Sequence, residues 1–270
     1  MESNFTKNKS IGMAGGGQLA LMMIPAAKNL GYRINIMDPD PDCASAKAAD
    51  RLVIGDFSSA EAVFELGEIS DVVTFEIERV NSDHLFELER RGKIVRPASK
   101  VLKKVQDKLV QKKELAQLGI PVGPFSQLKE KKELADRIPC VWKSRTAGYD
   151  GRGVLILKEY SDLKKVPDSL GYTEALIDLD YELAILIARG SNGETVIYPT
   201  AEIIMDSDNN IMDTVVVPAS APTSVQKQCE GIAASLVEFF EYVGLMAIEF
   251  FVDKLGNLTV NEISPRPHNS

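Results

Sequence analysis

Two glutamates near the end of the sequence stand where a carboxylate pair could hold a metal ion. Glu249 lies in the apolar run AIEFFV and Glu262 in TVNEIS, and DKLGN between them reads as a turn. In a regular hairpin with Val252 opposite Thr259, Glu249 falls directly opposite Glu262. Opposed residues share a face with Cβ atoms about 5 Å apart, where like charges repel. A divalent cation removes that repulsion, and all-oxygen ligation suits Mg²⁺, which takes one or two carboxylates together with substrate phosphates. Asn261 beside them can add an amide oxygen. The alternative is a one-residue bulge that turns the two acids to different faces. Two lysines extend the same chemistry. Lys143 ends the apolar strand Cys140–Trp142 just before SRTAGYDGRG, and a lysine before a Gly-rich loop can hold and cover nucleotide phosphates. Lys108 opens a helix after Gln106-Asp107 and can reach another phosphate. Each lysine taken alone is most simply a surface residue; with the acid pair, the set favours ATP over a nicotinamide cofactor.

A second candidate lies at the other end. Gly15-Gly16-Gly17-Gln18-Leu19-Ala20 satisfies GxGxxG/A, and Asp38 stands where a ribose-binding acid would. This pattern fits a dinucleotide, another phosphate ligand, or a structural turn, because a helix N-terminus offers N–H groups to any anion.

The elements that must carry these residues alternate at first. Ser10–Ala14 reads as a strand, followed by a helix to Asn29 that Pro25 should kink or end early. Strands follow at Arg33–Met37, Leu52–Ile54, Asp71–Phe75 and Lys93–Val95, with a short helix at Phe86–Arg90. Such alternation implies a parallel sheet covered by helices. After Pro97 a charged helix, Gln106–Leu118, stops at Gly119. Strands with alternating character follow at Glu182–Ala188, Thr195–Ile204 and Ile211–Val217, then a helix near Gln226–Val243 and a hairpin, Met246–Val252 with Leu258–Ile263. That half reads as α+β, and KEKKEL at 129–134 as a solvated helix face.

Composition bounds the answer. The 270 residues are 44% hydrophobic and 26% charged, ordinary for a globular chain that buries about 75% of its unfolded surface. Two histidines, His84 and His268, exclude zinc sites built on several imidazoles. Three dispersed cysteines suit a reduced, cytoplasmic protein. A net charge of -8 argues against nucleic acid as a partner. No signal peptide or membrane-length apolar run is present, so no membrane partner is expected.

The order GGGQL, MDPDPDCAS, DVVTFEIE, a QDK…K helix, KSRTAGYDGRG, IEFFV and NEISPRPHNS resembles the 5-(carboxyamino)imidazole ribonucleotide synthetases. These are ATP-grasp enzymes of purine biosynthesis, the ATPase subunit of phosphoribosylaminoimidazole carboxylase. The resemblance implies a Rossmann-like N-terminal domain over 1–97 and an ATP-grasp domain over 98–270. It places a lid at about 121–173 and implies a missing C-terminal part, because the family's sequences continue past HNS. It implies ATP with Mg²⁺, bicarbonate and aminoimidazole ribonucleotide as reactants, carboxyphosphate as intermediate, a homodimer, and coupling to the mutase that rearranges the product. By motif position Lys108 and Lys143 contact ATP phosphates, Glu174 and Ala175 form the adenine-side hinge, Glu182 binds the ribose, and Asn261 assists. Glu249 and Glu262 bind Mg²⁺. Gly16, Gln18 and Glu76 line the ribonucleotide side, Tyr149, Asp150 and Arg152 the covering loop, and Arg266, His268 and Asn269 the place where carboxyphosphate meets the amine.

The sequence departs from the family at several of these places. Lys108 stands for Arg, Thr146-Ala147 for a more basic, Gly-richer pair, Ile203 for Asn, and Ala175 for a second hinge acid. Two readings of other classes stay open beside the ligase: an NAD-dependent oxidoreductase, resting on Gly15–Ala20 and Asp38, and an ATP-binding fragment with weak or no turnover. Within the ATP-grasp enzymes the nearest confusion is a formate-using glycinamide ribonucleotide transformylase.

Overall fold

A computed structural model describes residues 9–146, 153–169, 171–206 and 211–269. They divide into two compact units. One takes in the described residues up to 103 with 242–245 and 265–269, and the other those of 104–241 with 246–264.

The first unit is a five-stranded parallel sheet. Its strands are β1 (Ser10–Ala14), β2 (Arg33–Asp38), β3 (Arg51–Ile54), β4 (Val72–Phe75) and β5 (Ile94–Val95), in the order β3-β2-β1-β4-β5. Both faces are covered, so β2 carries a continuous buried run from Ile34 to Asp38 rather than an alternation. Met13 and Ile36 point to the core under α1 (Gln18–Asn29), whereas Ala14 and Met37 point to the core under α2 (Ala60–Glu68) and α3 (Ser82–Arg90). Helix α1 runs through Pro25 to Asn29 rather than stopping there. Met23, Ile24 and Ala27 pack into the core on both sides of the proline, and that packing outweighs one lost hydrogen bond. Helix α3 starts earlier than the apolar pattern suggests because Asn81 caps it, accepting from the N–H groups of Asp83 and His84.

Two helices lie here, and the second is the one expected over 106–118. The first, α4 (Ser99–Val105), is followed by α5 (Lys108–Gln117). Asp107 breaks them apart: its carboxylate caps α5, accepting from Leu109 and Val110 N–H at 3.0 and 3.2 Å. Gly119 ends the run at a left-handed φ of 73°.

The second unit holds two sheets. The smaller is antiparallel, order β6-β9-β7-β8, from β6 (Phe125–Gln127), β7 (Cys140–Ser144), β8 (Val154–Leu157) and β9 (Gly171–Ala175). It packs over Trp142, Leu157 and Leu134, the last from a 3₁₀ helix (Lys131–Arg137) whose lysines stay in solvent. The larger sheet contains β10 (Leu179–Arg189), β11 (Thr195–Ile197), β12 (Ala201–Asp206), β13 (Ile211–Val216), β14 (Gly244–Asp253) and β15 (Leu258–Ser264). Its order is β13-β12-β10-β14-β15, with β11 on β10. The single strand expected over 195–204 is two, because Pro199 lacks the N–H a central ladder needs. Helix α6 (Thr223–Phe239) packs Cys229, Ala233, Leu236 and Val237 inward beside β10. No helix among the described residues is long and apolar enough to cross a membrane.

Candidate functional site

A bulge sets the acid pair. Val252 lies opposite Leu258 and Phe250 opposite Val260, and then the register shifts so that Glu249 opposes Glu262. The regular ladder with Val252 opposite Thr259 is thus corrected. Asp253 closes a tight turn: its N–H donates to the Asn257 carbonyl at 3.1 Å and its carboxylate accepts from the Leu255 and Asn257 N–H groups, which draws Leu258 opposite Val252. Unshifted, that register would set Glu249 against Asn261. Asn261 is the inserted residue, and the bulge brings the two acids together instead of separating them.

Cations alternate with these acids. Lys108, first in α5, places Nζ 2.6 Å from Glu262 Oε2. Lys143 in β7 donates to Asn261 Oδ1 at 2.9 Å and pairs with Glu174 Oε2 at 3.1 Å. Asn261 in turn donates from Nδ2 to Glu249 Oε2 at 3.0 Å. Glu174, in β9, is buried with its other oxygen 3.4 Å from Lys112 Nζ and 2.7 Å from the Tyr172 hydroxyl. Burial alone would push the Glu174 carboxyl up, but Lys143, Lys112 and the Tyr172 hydroxyl together hold it below the usual range. Burial takes Lys112 down to about 8 although Glu174 opposes the change. Glu174 therefore turns its carboxylate inward, and Ala175 beside it is exposed.

Glu182 is raised to about 7, first by burial and then by the charge of Glu249. It lies opposite Ile203, which is buried and offers no polar atom, while the neighbouring Glu202 accepts from Ser220 N–H. Arg145 reaches back to the capping Asp107 with two bonds of 3.0 and 3.1 Å and a third from its Nη2, fixing the chain just beyond β7. Tyr149, Asp150 and Arg152 lie outside the described residues.

The donor set fits a hard cation. Glu249 and Glu262 are opposed in register and offer carboxylate oxygens, Asn261 turns its Nδ2 to Glu249 and its Oδ1 to Lys143, and a cation at the acids would relieve the repulsion felt at Glu182. Among the described residues no group of three or more His, Cys, Asp or Glu could hold a metal alone, so water or ligand oxygens would complete such a site.

The glycine turn in the first unit is arranged otherwise. Gly15 takes a φ of 103°, Gly16 N–H donates to Asp38 Oδ2 at 2.8 Å, and Gly17 and Ala20 N–H donate to the two oxygens of Glu76 at 2.7 and 3.3 Å. The chain's own carboxylates thus occupy the helix N-terminus that would receive a pyrophosphate, and Asp38 is buried against the turn rather than presented to a ribose. The dinucleotide reading loses its physical basis here. Gln18 is exposed at the first helical position. In the same unit Arg266 Nε donates to Glu78 Oε1 at 3.0 Å, with His268 half-buried and Asn269 exposed beside it.

The motifs did not single out Glu78, Tyr172, Gln111 or Lys112. Only Lys112 had a usable signal: it falls three residues from both Leu109 and Leu115, on the inner stripe of α5.

Comparison with known proteins gives the family and the fold. Residues 113–270 match the model of the ATP-grasp domain, and residues 8–106 that of the ribonucleotide synthetase preATP-grasp domain. The N5-carboxyaminoimidazole ribonucleotide synthase of Bacillus subtilis (strain 168) is 35% identical over 269 residues, which is 96% of this chain and 70% of that protein. The crystal structure of N5-carboxyaminoimidazole ribonucleotide synthetase from Thermotoga maritima superposes with a TM-score of 0.87 at 36% identity, covering 97% of this chain and 70% of the other. That of the Aspergillus clavatus synthase, in complex with ADP and aminoimidazole ribonucleotide, gives 0.87 at 27% identity, covering 98% and 71%.

Proposed function

The chain belongs to the N5-carboxyaminoimidazole ribonucleotide synthase family of ATP-grasp ligases, and from that premise we propose how its own residues perform the family's ATP-dependent carboxylation of aminoimidazole ribonucleotide in purine biosynthesis. The lysine–acid array on the bulged hairpin carries this reading, because it matches a polyphosphate and its cation in sign and spacing.

Lys108 and Lys143 neutralise the ATP phosphates, with Lys108 exchanging Glu262 for a phosphate oxygen. Glu182 accepts from the ribose hydroxyls, and Glu174 and Ala175 form the adenine side. Glu249, Glu262 and Asn261 hold Mg²⁺, which when bound withdraws charge from the phosphates being transferred. A bicarbonate oxygen attacks the γ-phosphorus as the bond to ADP breaks. The ribonucleotide's amine then attacks the carboxyphosphate carbon, phosphate leaves, and the nitrogen gives up its proton. Arg266, oriented by Glu78, stabilises charge at that second step beside His268 and Asn269. Tyr149, Asp150 and Arg152 cover the phosphates, and Gly16, Gln18 and Glu76 line the ribonucleotide side. Catalysis is positioning and charge neutralisation, with little covalent work for the protein.

We keep 1–97 and 98–270, with a lid at about 121–173, as the functional division. Three free cysteines support a cytoplasmic enzyme. Exposed Val196, Tyr198 and Val217 support a homodimer, and the unstable carbamate product supports coupling to a mutase. The test is ADP release with ATP, Mg²⁺, bicarbonate and aminoimidazole ribonucleotide. Release that needs both carbon source and ribonucleotide, and that formate cannot sustain, is expected. ATP binding without turnover would instead favour the fragment reading, and release indifferent to both substrates would overturn the assignment.

A further inference from the structure

Helix α5 carries two fully enclosed polar side chains that no step above uses. Gln111 is 3% exposed and Lys112 2%. Both turn toward β15, the edge strand of the larger sheet, whose outward backbone groups need partners. The Gln111 amide donates to the Ile263 carbonyl at 3.1 Å and accepts from the Ile263 N–H at 3.0 Å, as a neighbouring strand would. Lys112 Nζ donates to the Val260 carbonyl at 3.0 Å, and Val260 N–H donates to the Pro121 carbonyl at 2.7 Å. Val260 and Ile263 flank the bulge residues Asn261 and Glu262, so α5 grips the strand on each side of the bulge. The same Lys112 ammonium lies 3.4 Å from Glu174 Oε1, while Glu174 Oε2 lies 3.1 Å from Lys143. One buried cation thus touches the support of both halves of the array.

We propose that Lys112 is a positioning residue of the nucleotide site: it sets Lys143 through Glu174, and Asn261 with Glu262 through Val260, without touching nucleotide or metal itself. This rests on the reading of Lys143 and the acid pair as the ATP–Mg²⁺ site. Removing Lys112 leaves Glu174 its Lys143 partner at 3.1 Å but takes the ammonium away from Glu174 Oε1 and the Val260 carbonyl, whereas removing Glu174 as well leaves the buried Lys143 ammonium without its carboxylate. Affinity and Tm are therefore read separately.

The experiment measures ATP–Mg²⁺ affinity by calorimetry and Tm on the full chain for Lys112→Met, Glu174→Gln and the double variant. Lys112→Met should weaken ATP–Mg²⁺ binding about 10–100-fold, the range for losing a ligand's supporting partner, and lower Tm. In the double variant, where Lys143 also loses its carboxylate, Tm should fall further and affinity stay low. In turnover, KM for ATP should rise and KM for the ribonucleotide stay unchanged. Wild-type affinity in a folded Lys112→Met or in the double variant overturns the proposal. Should Lys112→Met not fold, Lys112→Gln, which keeps a neutral donor for the Val260 carbonyl, takes its place: weakened affinity supports the proposal and wild-type affinity overturns it. A wild-type chain that binds no ATP–Mg²⁺ fails the functional reading itself, a different result from all of these.

Discussion

The glycine turn of the first unit and the bulged hairpin of the second both gather charged groups at a backbone irregularity, yet they settle that charge in opposite ways. In the turn, two carboxylates answer three N–H groups within 3.3 Å, and the anion-binding capacity of the helix N-terminus is consumed inside the chain. At the hairpin, cation and anion alternate from Lys108 through Glu262 to Asn261, Lys143 and Glu174, with Glu249 and Glu182 adding further negative charge. Such a row can exchange its internal partners for phosphate and Mg²⁺ without leaving a charge bare. A motif that advertises phosphate binding can therefore be internally satisfied, while a lysine–acid array elsewhere keeps partners it can exchange.

Glu262→Gln tests the hairpin side most severely. It removes one acid and strands Lys108, and ADP release should fall about 10²–10³-fold in kcat/KM, measured by coupled assay. Retention of near-wild-type turnover would mean that the opposed pair is not used.

Glu182 gives the next effect. Its folded value of about 7 exceeds the ordinary 4.5, so the protein loses stability as pH rises between those two values. In EDTA without nucleotide, Glu182→Gln should match wild type near pH 4 and exceed it above pH 7, by up to about 3 kcal/mol in urea titrations. An equal gap at both pH values would contradict the burial and Glu249 repulsion invoked here.

Ligand-induced stabilisation compares the two regions directly. ATP with Mg²⁺ at 100 times its Kd should stabilise the chain by about 2.7 kcal/mol, whereas NAD and NADP should leave Tm unmoved. A Tm rise with NAD would return the glycine turn to dinucleotide binding. The smallest effect belongs to Glu76→Ala, which uncaps α1. A loss of about 1 kcal/mol is expected, seen as a Tm drop of about 2–4 °C.

The parallel sheet was legible because its strands are short apolar runs set apart by helices, and burial on both faces leaves that mark in any sequence. Helix ends were less so: Asn81 and Asp107 fix α3 and α5 through side-chain caps that an apolar pattern does not register. At Pro25 the helix does not end early, since Met23, Ile24 and Ala27 stabilise it through tertiary contacts. At the hairpin the opposed acids were inferred from a ladder that does not exist, and the same pair arises through a tighter turn and a bulge at Asn261. Lys112 looked like one more lysine in KLVQKKEL, because a lysine's letter is the same in water and under β15.

By itself the sequence determined which elements form and which chemistries are available, since periodicity, Gly and Pro placement, and residue type act locally along the chain. It also determined the family, through short motifs kept in order. Only the tertiary structure decided which charged groups meet: that Asp38 and Glu76 close the glycine turn, that Lys143 rests on Glu174, and that the bulge sets Glu249 against Glu262. The physical reason is range. A charge becomes a ligand or a brace according to what lies within about 4 Å of it and how much water is excluded, and both depend on residues as far as 154 positions away.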